Sequence, residues 1–125
     1  FELLTEYTTA YLMRKPSEVD VAVQVAQVLV KQEDGVAEAL RFLDSIQQHV
    51  ATAVENPEFV LMVGQLLQGS NDVANAIQWY LRAAELGENS SPFWLNLGRL
   101  LLQVEEFDAA QEAFERAKSN LNAEG

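Results

Sequence analysis

The chain has 125 residues, 49% of them apolar, which suits one domain with a real core. Nineteen acidic residues against eight basic ones give a net charge of −11, which argues against nucleic acid and against an anionic membrane surface and leaves a basic protein partner open. The lack of cysteine excludes disulfides, thiolate metal sites and a cysteine nucleophile, and no apolar run approaches the ~20 residues that direct membrane insertion needs.

In chain order, residues 1–14 place Leu3, Tyr7, Ala10 and Tyr11 on one helical stripe, ended by Lys15-Pro16-Ser17. Residues 19–32 are harder to read. Val19, Val21, Val23 and Val25 alternate with Asp20, Ala22 and Gln24 as a strand would, but 26–30 break the alternation. A lone strand among helices would leave unpaired edges, so the expectation is a helix opened by Ser17. Ala39, Leu43 and Ile46 then carry a second helix that begins near Gly35. Pro57 follows Asn56 and Pro92 follows Ser91, and proline is tolerated at helix starts. Gly69-Ser70-Asn71-Asp72 and Glu105-Glu106-Phe107-Asp108 are polar turns between helices.

The C-terminal half repeats itself. Val60, Val63, Gly64, Leu67, Ala76, Tyr80 and Ala83 lie 34 residues before Trp94, Leu97, Gly98, Leu101, Ala110, Phe114 and Ala117, and Arg82 and Arg116 share the offset. Trp94, Leu97, Gly98 and Leu101 occupy one face of a helix, and Ala110, Ala113, Phe114 and Ala117 one face of the next. Gly64 and Gly98 are small where two helices must approach closely. This period and these residue types resemble the tetratricopeptide repeat, with Val60 in place of the usual Trp and Leu101 in place of the usual aromatic. Ala39, Leu43 and Ile46 match Ala76, Tyr80 and Ala83 at an offset of 37, so the first unit carries about three extra residues, placed within 47–55.

The resemblance implies an all-α, right-handed superhelical solenoid of antiparallel helix pairs. About three repeats (17–56, 57–90 and 91–125) follow an N-terminal helix or half repeat (1–16) in a single domain, 1–125. It also implies that the first helix of each pair lines a concave groove that binds a protein or peptide. A step of roughly 100° from the core face assigns groove positions. These are Gln24, Val28 and Lys31, flanked by Val21 and Val25, then Leu61, Gln65 and Gln68 with Met62 alongside, then Leu95, Arg99 and Leu102, with Asn96 also placed on the groove. This groove is apolar and amide-rich, unlike the basic clamp with which some members of the family hold a carboxyl terminus. It suits an amphipathic helix or an extended apolar segment. The alternative is that neighbouring repeats cover its apolar residues.

Nothing in the sequence points to catalysis, a cofactor or a metal. His49 is the only histidine and stands at a helix end without an acid at ligand spacing. The glycines form no phosphate loop, and Glu105, Glu106, Asp108, Glu112 and Glu115 lack the spacing of a calcium loop and read as a solvated helix face. The functional expectation is a protein-interaction scaffold without enzyme activity. The alternative is a spacer or self-association module. Phe107, Ala110, Phe114 and Ala117 at one end and Phe1, Leu4, Tyr7, Tyr11 and Leu12 at the other have no successor or predecessor to cover them. The expectation is therefore an excised segment of a longer repeat protein whose end helices support a homo-oligomer.

Overall fold

The computed structural model describes the backbone of residues 2–124 and the side chains of residues 3–120. Phe1, part of the predicted first helix, lies outside the described residues. Seven α-helices and no strand occur among the described residues: α1 (Glu2–Arg14), α2 (Asp20–Leu29), α3 (Gly35–His49), α4 (Pro57–Gly69), α5 (Val73–Glu85), α6 (Ser91–Gln103) and α7 (Phe107–Glu124). The valine-rich segment is helical. Ala22, Val23, Val25, Ala26 and Leu29 bury one side of α2, and that burial outweighs the modest helix penalty of branched side chains.

The helices pack as α2 on α3, α4 on α5 and α6 on α7. Only residues 70–72 join α4 to α5 and 104–106 join α6 to α7, so the members of each pair run antiparallel. The same turn closes both. Asp72 N–H bonds Leu67 O at 2.9 Å and Asn71 N–H bonds Gln68 O at 3.0 Å, while Glu106 bonds Leu101 at 2.9 Å and Glu105 bonds Leu102 at 3.0 Å. This is the Schellman arrangement, which needs one left-handed residue. Asn71 (φ 63°) and Glu105 (φ 64°) supply it, and Asp34 (φ 57°) is the left-handed residue between α2 and α3. These three positions are separated by the same 37 and 34 residues that separate the apolar matches.

Helix starts follow their caps. Asn56 Oδ1 accepts from Phe59 N–H at 3.1 Å ahead of Pro57, and Ser90 Oγ accepts from Phe93 N–H at 3.3 Å ahead of Pro92. The extra residues of the first unit form a 3-10 turn, Ala51–Glu55, tied down by buried Val50 and Ala53.

The buried side chains form two clusters that meet in α4. Phe59, Met62, Val63 and Leu66 face the cluster built with α2 and α3, while Val60 faces the one built with α5, α6 and α7. Within the pairs, an aromatic ring rather than a backbone lies over each repeat glycine. A Cβ on Gly64 would meet the Tyr80 ring at 3.0 Å, and one on Gly98 the Phe114 ring at 2.6 Å. Backbones make the close approach at Gly35, where a Cβ would stand 2.1 Å from Leu29 O.

Candidate functional site

Between α4 and α6 the structure holds an open hollow of about 310 Å³, lined by Leu61, Gln65 and Gln68 of α4, Pro92, Phe93 and Asn96 of α6, and Tyr80, Glu88 and Ser90. Four predicted groove residues, Leu61, Gln65, Gln68 and Asn96, therefore share one site. Its apolar wall is continuous with the core, because Phe93 packs edge-on against Tyr80 (centroids 5.9 Å apart) and against Trp94 (5.2 Å).

The floor is a hydrogen-bonded network. Gln68 Nε2 donates to Asn96 Oδ1 at 3.1 Å and Asn96 Nδ2 donates back to Gln68 Oε1 at 2.8 Å. The Tyr80 hydroxyl donates to Gln68 Oε1 at 2.7 Å, and Arg99 Nη2 to Asn96 Oδ1 at 3.1 Å. Burial pushes the Tyr80 phenol above its ordinary value, and the Asn96 amide partly offsets that rise. Glu88 Oε1 is engaged by Ser90 N–H at 3.2 Å.

The remaining predicted residues are dispersed. Gln24, Val28, Lys31, Leu95 and Arg99 are exposed, and Val21 is half-buried against the N-terminal core. Val25 and Met62 correct the expectation: at 9% and 8% exposure they are core residues and offer a partner no surface. A first helix inside the stack is flanked by pairs on both sides, so its buried arc is wider than one face. Leu102 also moves. It lines a second hollow, of about 330 Å³, with Phe107, Ala110, Gln111, Phe114, Glu115 and Lys118 at the α7 end of the molecule.

Tyr80, Glu88 and Phe93 were not among the predicted groove residues. The signal for Tyr80 is the comparison of units: it carries a hydroxyl where the last unit has Phe114, and that hydroxyl is what reaches the groove. Glu88 and Phe93 carry no such signal, because they enter the groove through the connection before α6 and its first turn.

Among the described residues, no group of three or more His, Asp or Glu side chains could hold a metal ion, and no helix is long and apolar enough to cross a membrane. His49 is exposed at the end of α3, with Nδ1 2.8 Å from Ser45 O. Asp108, Glu112 and Glu115 lie on the exposed face of α7, where Glu112 pairs with Arg116 at 3.1 Å.

A family model described as the tetratricopeptide repeat matches residues 91–119, the α6–α7 pair. No curated protein matches the sequence. Among solved structures the chain is similar to one described as "MamA RS-1 ArsTM double mutant", with a TM-score of 0.71 and 18% identity over 90% of this chain. The chain spans 61% of that structure's length. With the helix pairs, the recurring turns and the 34-residue period, these findings support a tetratricopeptide-repeat assignment: the α6–α7 pair matches the model of that repeat, and the chain shares the helical-pair fold of that solved structure.

Proposed function

We propose that the chain is a binding module that holds a segment of a partner protein in its concave groove, without chemistry of its own. The observation that carries this is the open hollow between α4 and α6, where Leu61 and Pro92 offer apolar contact beside the amides of Gln65, Gln68 and Asn96. Leu95, Gln24, Val28 and Arg99 extend that surface as exposed side chains. The unit that binds is the domain 1–125, divided as the half repeat 1–16 and the repeats 17–56, 57–90 and 91–125.

Peptide display on the whole chain, followed by titration with the recovered peptide, tests the assignment. Leu61→Glu and Leu95→Glu abolish binding and leave the melting midpoint within a few degrees of the parent, whereas Glu112→Gln on the outer face changes neither. Binding that survives the groove changes and fails on the outer face refutes it.

A second reading rests on the hollow at the α7 end, where Leu102 and Phe107 are 43% and 62% exposed. α1 likewise turns Leu3, Leu4, Tyr7 and Tyr11 outward while burying Thr8 and Leu12. Exposed apolar ends of this kind support association between copies. Light scattering across a concentration series gives a mass above the monomer that falls in Leu102→Glu and Phe107→Glu. A strict monomer at high concentration removes this reading and leaves the groove untouched.

A further inference from the structure

The groove floor has a hydrogen-bond polarity that is set from one end. A guanidinium carries donors and no acceptor. Arg99 Nη2 lies 3.1 Å from the Asn96 amide, which must therefore turn its oxygen toward Arg99. The Asn96 nitrogen then faces Gln68 and donates to Oε1 at 2.8 Å, and Gln68 answers through Nε2 at 3.1 Å. With Gln68 Oε1 fixed in place, the Tyr80 hydroxyl at 2.7 Å is held as a donor. Each amide oxygen accepts two bonds and has no lone pair to spare. The second N–H of Gln68 has no acceptor in the network, whereas the Asn96 amide also faces the Tyr80 oxygen. Gln68 and Asn96 are half-buried and line the hollow, so the floor presents the free Gln68 N–H, and neither of these two amides has a free acceptor.

We propose that Arg99 is a specificity-determining residue that fixes the direction of the Tyr80–Gln68–Asn96 network, so that the groove takes an extended partner segment through its main-chain carbonyl oxygens. This rests on the groove-binding reading above. A helical partner has its carbonyls engaged within its own backbone and does not offer one to this donor, whereas an extended segment offers carbonyls on alternate sides. Glu88, which lines the same hollow, disfavours a carboxylate as the acceptor and leaves the neutral carbonyl. Arg99 is exposed and does not line the hollow; it acts through Asn96.

The test uses the whole chain and a linear peptide recovered from a random display library. The peptide is resynthesised with single thioamides, which keep each N–H and weaken each carbonyl as an acceptor. One or two thioamide positions weaken binding to the parent chain by about three- to tenfold, the worth of one hydrogen bond. Arg99→Lys, which still offers only donors, keeps the affinity within about threefold and keeps the thioamide effect. Arg99→Glu offers an acceptor, turns the amides round and abolishes the thioamide effect, with the side-chain amide resonances of Gln68 and Asn96 displaced and the melting midpoint unchanged. Comparing thioamide effects within one variant cancels any plain charge effect of the substitution. If Arg99→Glu retains the thioamide effect while Leu61→Glu abolishes binding, the role of Arg99 is wrong and the groove stands. If Leu61→Glu also binds as the parent does, or no peptide is recovered, the groove reading itself fails. A recovered peptide that binds as a helix overturns the extended occupant.

Discussion

Gly98 and Phe114 show how tightly single side chains are matched within a pair. An added methyl at Gly98 would meet the ring at 2.6 Å, against 3.0 Å for Gly64 and Tyr80, and 2.1 Å to backbone for Gly35. A ring tilts more cheaply than a backbone shifts. Gly35→Ala therefore destabilises most, Gly98→Ala next and Gly64→Ala least, within the ~1–3 kcal/mol of overpacking, and chemical denaturation gives the order. Glu105 holds a left-handed conformation that favours glycine, so Glu105→Gly raises stability by up to about 1 kcal/mol, while Asn71→Gly changes it little. Tyr80→Phe removes one bond of the floor and costs about 1 kcal/mol. The raised Tyr80 phenol favours the folded state fully below the ordinary phenol range, and that advantage is lost as pH climbs through the raised value. The fall in stability above about pH 10 is accordingly smaller in Tyr80→Phe than in the parent, which urea titrations at neutral and alkaline pH measure. The repeat glycines were legible from the sequence because size is conserved between units. The burial of Val25 and Met62 was not, because it comes from neighbouring pairs that a single helix's periodicity does not contain.

At the scale of elements, the caps make the plainest test. Asn56→Ala and Ser90→Ala each cost about 1 kcal/mol by removing the acceptor for a first-turn N–H. Helix positions were readable wherever Pro, Gly or Asn punctuated the apolar periodicity. α2 was not readable from its own valines, whose alternation mimics a strand; its neighbours decide it. The equivalent arginines show how one substitution between units redirects an element. Arg116 lies over the Trp94 ring at 5.1 Å. Val60 stands where Trp94 does, and Arg82 instead reaches back to the carbonyl of Val54 at 3.2 Å, clamping the 3-10 turn to α5. The period shows that both arginines matter, but their partners depend on the residue opposite and are visible only once the pairs are packed.

For the whole molecule, the net charge of −11 opposes contact between copies, and salt screens it beyond roughly 10 Å at moderate ionic strength. Association through the α7 and α1 ends should therefore strengthen as salt is added. A contact built on ion pairs would weaken instead, and light scattering at low and moderate salt separates the two.

The sharing of α4 between two buried clusters has a dynamic consequence. Phe59, Met62, Val63 and Leu66 anchor this helix to one side and Val60 to the other, so neither half of the molecule can open without disturbing it, whereas among the described residues α1 packs on α2 and α3 and α7 chiefly on α6. In a stack whose cohesion passes from neighbour to neighbour, opening spreads inward from both extremities and the shared wall is the last to yield. Amide hydrogen exchange should then form a gradient, fastest in α1 and the last turns of α7 and slowest in α4. Val60→Ala should speed exchange first across α5–α7, leaving α2 and α3 protected.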